Sequence, residues 1–87
     1  MKVLLRPIAI KYLERLDAPT RARFIAAFTD LSKEPPQGDI KSMTGQSGYY
    51  RLRVGGFRAL YRVENNIIFV TNIDPRGQAY KKNKGGR

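Results

Sequence analysis

The stretch Gly48–Lys81, GYYRLRVGGFRALYRVENNIIFVTNIDPRGQAYK, decides how this chain is read. Gly55-Gly56 separates two runs of alternating character, Tyr49–Val54 and Phe57–Glu64, and paired glycines between such runs signal a two-residue β-hairpin loop. That loop length sets the register: Val54 faces Phe57, Arg53 faces Arg58, Leu52 faces Ala59 and Arg51 faces Leu60. One face then carries Tyr50, Leu52, Val54, Phe57, Ala59, Tyr61 and Val63, an apolar surface that needs cover. The other carries Tyr49, Arg51, Arg53, Arg58, Leu60 and Arg62, with no acid among the four arginines. A further strand, Asn66–Ile73, follows a turn at Asn65-Asn66. It is apolar on both sides, as expected of a central strand or of one covered by the tail or the N-terminal strand. Its register stays open, because a three-residue loop at Glu64–Asn66 would exchange its faces.

The N-terminal half supplies the cover. Lys2–Arg6 is a short apolar run stopped by Pro7, which suits a first strand followed by a helix-initiating proline. Ala9, Tyr12 or Leu13, and Leu16 then recur at helical spacing. Asp17-Ala18-Pro19 breaks that helix and starts another, with Asp17 as cap, whose apolar side holds Phe24, Ala27 or Phe28, and Leu31. Two amphipathic helices joined by so short a break form an antiparallel hairpin. Residues 35–47, PPQGDIKSMTGQS, read as a loop anchored by Ile40 and Met43. The expected fold is α+β: an N-terminal strand, an antiparallel two-helix hairpin and a three-stranded antiparallel meander, forming one twisted sheet. Residues 1–80 are expected to form a single domain, and residues 81–87, KKNKGGR, a flexible basic tail.

Composition narrows the function. Seventeen Lys/Arg against seven Asp/Glu give a net charge of +10. The excess is uneven: residues 1–47 hold eight basic and five acidic residues, and residues 48–87 hold nine and two. A basic half on a small domain points to a polyanionic partner, nucleic acid first, with an acidic protein as the alternative. Arg53 opposite Arg58 sharpens this, since like charges paired across strands are destabilising. An anionic ligand between them would turn repulsion into binding; the plainer account is solvated arginines on an open face. With no cysteine and no histidine, disulfides and imidazole or thiolate metal sites are excluded. No apolar run is long enough for a membrane helix, so a soluble cytoplasmic protein without membrane partners is expected.

The same absences limit the chemistry. A nuclease that relies on imidazole acid/base pairs is excluded, and scattered carboxylates make a two-metal site a poor fit. What remains for RNA cleavage is attack by the ribose 2′-OH on the adjacent phosphate, with arginines stabilising the charge that builds. A tyrosine beside cations can act as the base. Arg76 and Tyr80, four residues apart and followed by Lys81 and Lys82, meet that description, although Tyr80 could equally pack the tail onto the sheet. No cofactor and no metal are expected.

The runs YRLRVGGFRALY (50–61) and PRGQAY (75–80), after a strand and a helical hairpin, resemble the RelE/ParE superfamily of toxins from type II toxin–antitoxin modules. The likeness extends to about Lys81. It implies a toxin held by a cognate acidic antitoxin in a hetero-oligomer. In the RelE branch it implies a metal-free endoribonuclease that cleaves mRNA in the ribosomal A site and so inhibits translation. In the ParE branch it implies a DNA gyrase inhibitor without nuclease activity. By motif, the resemblance assigns Arg51, Arg58, Arg76 and Tyr80 as catalytic, with Tyr80 the base. It leaves Tyr49, Arg53, Arg62, Lys81, Lys82 and Lys84 as RNA-binding residues. Some active RelE members have lysine where this chain has Tyr49, a place that Lys81, Lys82 or Lys84 would have to fill, and many relatives have histidine where it has Pro75. Retention of Arg51, Arg58, Arg76 and Tyr80 favours the RelE branch.

Overall fold

The structure, a computed structural model, describes residues 1–45 and 47–75. Its elements in chain order are β1 (Lys2–Leu5), α1 (Pro7–Glu14), α2 (Ala18–Leu31), β2 (Asp39–Ser42), β3 (Tyr49–Val54), β4 (Phe57–Glu64) and β5 (Ile67–Asp74). The strands form one sheet in the order β1-β5-β4-β3-β2, antiparallel except for β1, which runs parallel to β5. This is the expected α+β fold with one strand more. Residues 39–42 lie within the stretch read as a loop, yet they pair with β3, Ile40 opposite Leu52 and Lys41 opposite Arg51.

Local chemistry accounts for the elements. Pro7 opens α1 behind Arg6, whose extended backbone (φ −69°, ψ 153°) serves as N-cap. The connection to α2 is three residues long, and the Arg21 guanidinium, donating to the carbonyl of Leu16 at 3.2 Å, holds it closed. Asp17 stands at the N-cap of α2 without closing a capping hydrogen bond. The neighbouring Thr20 hydroxyl nevertheless holds its carboxyl below the usual carboxylate range. Gly55 takes a left-handed φ of 62° in the first hairpin loop. Asn65 and Asn66 both have positive φ, 51° and 62°, which fixes a two-residue turn and pairs Glu64 with Ile67.

The helices bury Ala9, Leu13, Phe24, Phe28 and Leu31 against Leu52, Val54, Ala59, Tyr61, Ile68, Val70 and Ile73. Phe24 is wholly enclosed and meets Phe28 and Phe57 with ring centroids 5.9 and 5.4 Å away. Tyr12 also meets Phe57, edge-on at 6.3 Å. Further along the same side of the sheet, Tyr50 and Tyr61 stack at 5.4 Å across β3 and β4. They border an apolar cavity of about 330 Å³ shared with Met1, Ile40, Val63 and Ile68. β5 lies inside the sheet between β4 and the N-terminal strand β1, which covers it as its two-sided apolarity allowed. It carries a bulge opposite Leu60/Tyr61: Leu60 pairs with Asn72 and Tyr61 with Val70, leaving Thr71 as the extra residue.

Candidate nucleic-acid interface

Burial separates the faces of the sheet as the hairpin register predicted. Leu52, Val54, Ala59 and Tyr61 are buried on the helix side, while Tyr49, Arg51, Arg53, Arg58 and Arg62 share the other. The cross-strand pairs Arg53/Arg58, Arg51/Leu60 and Leu52/Ala59 stand as expected. The apolar cavity beside Tyr50 lies on the helix side, has no charged side chain in its lining, and is separate from the arginines.

Read across the strands, the open face consists of successive rows. The first is Asp39–Arg53–Arg58–Asp74, the second Lys41–Arg51–Leu60–Asn72, and the third Tyr49–Arg62–Phe69–Leu4. At the far edge, Glu64, Ile67 and Lys2 form a fourth. This corrects the expectation that no acid interrupts the arginines. Asp39 sits opposite Arg53 and Asp74 opposite Arg58, so the like-charge pair is bracketed by carboxylates. Arg62 is engaged twice: its guanidinium pairs with Glu64 and lies 4.7 Å from the centroid of the Phe69 ring. Arg53 turns its Nε toward the carbonyl of Gly55 at 3.4 Å. Tyr49 is 39% exposed, and with Leu4 at 40% and the half-buried Phe69 it gives the face an apolar element beside the cations.

Asp74 reaches its place because of the bulge. Strict alternation from the core residue Val70 would put Asn72 and Asp74 on the helix side. The extra residue instead sends Ile73 into the core and Asp74 to the row of Arg58. The Asp74 charge is also felt by Tyr12, whose phenol is raised above its ordinary value first by burial and then by this carboxylate.

Of the residues assigned from sequence, Tyr49, Arg51, Arg53, Arg58 and Arg62 are brought together on one face. Arg76, Tyr80, Lys81, Lys82 and Lys84 lie outside the described residues, as does the expected tail. Sequence reasoning missed Asp39 and Lys41. The available signal was the alternation Asp39-Ile40-Lys41-Ser42 with its single apolar residue, too short to stand out between prolines and glycines. Among the described residues there is no group of three or more His, Asp or Glu side chains that could hold a metal ion. No helix among them is long and apolar enough to cross a membrane.

A two-helix hairpin on one side of a five-stranded sheet, with arginines on the other, is the small α+β fold seen in RelE toxins. The sequence profile described as ParE toxin of type II toxin–antitoxin system, parDE, matches residues 3–80, and the chain belongs to this family. The archaeal RelE–RelB complex from Pyrococcus horikoshii is 26% identical, with a TM-score of 0.76 over 88% of this chain and 96% of that one. The toxin–antitoxin complex RelBE2 from Mycobacterium tuberculosis is 27% identical, with a TM-score of 0.70 over 84% and 94%. The isolated E. coli RelE toxin, at 16% identity, shares the fold with a TM-score of 0.73 over 98% and 96%. No curated protein matches the chain by sequence.

Proposed function

We propose that the protein is the toxin of a type II toxin–antitoxin pair that cleaves mRNA without a metal, at the ribosomal A site, and so halts translation. The observation that carries this reading is the gathering of Arg51, Arg53, Arg58 and Arg62 on the one sheet face that the helices leave open. RNA supplies the phosphates such a face would bind, with Tyr49 available for stacking on a base. In the reaction the 2′-OH attacks the adjacent phosphorus as its proton passes to a base, the role proposed for Tyr80. The bond to the 5′-oxygen breaks, giving a 2′,3′-cyclic phosphate and, once that oxygen takes a proton, a 5′-OH. Arg51, Arg58 and Arg76 stabilise the negative charge that develops on the phosphoryl oxygens. The partner that restrains this activity is an acidic antitoxin. The net charge of +10 and the similar structures that are RelE–RelB and RelBE2 toxin–antitoxin complexes support this partner.

The ParE family match supports a second reading, inhibition of DNA gyrase without nuclease activity. One experiment separates them. The purified chain is incubated with mRNA, with and without programmed ribosomes, and new 5′ ends are mapped while gyrase supercoiling is assayed in parallel. Codon-phased 5′ ends with supercoiling intact support the nuclease. Intact mRNA with supercoiling blocked would falsify it in favour of the gyrase reading.

A further inference from the structure

The cations of the open face are not equally placed. Arg53 and Arg58 share their row with Asp39 and Asp74, Arg62 pairs with Glu64, and Lys2 lies in the row that Glu64 ends. The row between, Lys41–Arg51–Leu60–Asn72, holds two cations side by side and no carboxylate. Among the described residues neither Lys41 nor Arg51 forms an ion pair. Residues 76–87 contain no Asp or Glu side chain to supply one.

Directly opposed residues of an antiparallel pair have Cα atoms roughly 4.5–5.5 Å apart and project to the same side. The two side chains are long enough to close on one anion from both flanks. A lysine on an edge strand has an ordinary use, because it discourages edge-to-edge association. That use does not require the lysine to stand beside an arginine, where like charges cost stability. Bound phosphate would reverse the sign of that interaction, and the two groups complement each other: the guanidinium offers a planar fork of donors, the ammonium a compact charge. Tyr49 is two residues from Arg51 on the same face, so a nucleotide held by its phosphate here has an aromatic ring within reach of its base.

We infer that Lys41 and Arg51 form a two-sided clamp on a backbone phosphate of the RNA, so that β2 is part of the binding surface. The inference rests on the RNA-cleaving reading and adds to it a residue that no motif marks. Lys41 holds the phosphate that Arg51 contacts, and its loss is read as weakened capture of RNA.

The test is fluorescence anisotropy of a labelled single-stranded RNA with a 2′-O-methyl backbone, which cannot be cleaved, over a series of salt concentrations. Wild type is compared with Lys41→Ala, Lys41→Arg and Arg51→Ala. Lys33→Ala serves as control, because Lys33 pairs with Asp30 at the end of α2. The expected result for Lys41→Ala is a several-fold loss of affinity and a salt dependence shallower by about 0.7 in the slope of log K against log salt, the loss of one phosphate contact to a single strand. Lys41→Arg restores both, Lys33→Ala alters neither, and the thermal midpoint of Lys41→Ala matches wild type because Lys41 is exposed. If Arg51→Ala weakens binding while Lys41→Ala leaves affinity and slope unchanged, Lys41 only protects the edge and the clamp is wrong. If wild type does not bind, or Arg51→Ala has no effect, the RNA interface falls and the clamp with it.

Discussion

The hydroxyl of Thr71 donates to the carbonyl oxygen of Leu60 at 3.2 Å, at the point where β5 carries one residue more than β4. This bulge decides which side of the sheet the end of β5 serves. Without it, Asn72 would enter the core opposite Ala59, and Ile73 would lie among the arginines. With it, Ile73 is 6% exposed, Asn72 is exposed and Asp74 faces Arg58. Bulges increase local twist and re-aim side chains in this way.

The bulge predicts an asymmetry between neighbours. Ile73→Asn should cost about 3 kcal/mol, from lost apolar burial together with a polar group taken into the core. Asn72→Ile should change stability by no more than about 0.5 kcal/mol, the usual scale at an exposed site. Denaturant midpoints measure both, and the reverse order of costs would place the extra residue elsewhere.

The same bulge marks the limit of what the sequence discloses. The Gly55-Gly56 hairpin was legible in full, because paired glycines fix the loop length and the alternation of Tyr49–Val54 and Phe57–Glu64 fixes the faces. The helical faces around Ala9, Phe24 and Leu31 were legible for the similar reason that 3.6-residue spacing is strict. β5 was not, because period-2 reasoning has no means of sensing one inserted residue in a strand apolar on both sides. β2 was hidden differently. Four residues with a single inward apolar side chain carry too little pattern, and their strand character comes from pairing with β3. Both gaps fell on the open face. The arginines were therefore predicted together, while the acids beside them, Asp39 and Asp74, were not.

Gly38 sits where the chain enters β2, with φ 140°, a region that side chains rarely adopt. A Cβ built there would lie 2.7 Å from Cδ1 of Leu52, a residue only 1% exposed. Gly38→Ala should therefore destabilise by about 1–3 kcal/mol through strain and overpacking. A thermal midpoint equal to that of wild type would show that Leu52 yields freely.

Alkaline pH should weaken the fold through Tyr61. Burial, and secondarily Tyr50, pushes its phenol up to about 12 from an ordinary value of 10.0. The folded state thus holds this proton more tightly than the unfolded chain does. Below about pH 10 both states are protonated and the stabilisation is intact. Between about pH 10 and 12 the unfolded chain releases the proton first, and stability falls as pH rises. Tyr12, raised by burial and by Asp74, acts in the same direction. Thermal melts of wild type and Tyr61→Phe from pH 9 to 12 should show a shallower decline in the variant; parallel curves would exclude Tyr61 as a source.

The bracketed arginine row predicts effects of opposite sign from its two kinds of residue. Arg58 faces both Arg53 and Asp74, and in the proposed reaction it must give its charge to a phosphate while that carboxylate stands across the ladder. Arg58→Ala should lower mRNA cleavage by ~10²-fold or more, the scale for removing a group that stabilises developing charge. Tyr80→Phe should produce a loss of similar order if the phenol is the base. Asp39→Asn should do the reverse for binding. With the carboxylate opposite Arg53 neutralised, RNA affinity should rise a few-fold at low salt, and the gain should shrink as salt screens the exposed site. Cleavage rates for the first two variants and a salt titration of RNA binding for the third read these outcomes. A loss of affinity in Asp39→Asn would mean that the carboxylate orients Arg53 for the phosphate instead of competing with it. Full activity in both Arg58→Ala and Tyr80→Phe would overturn the assignment of these residues as catalytic.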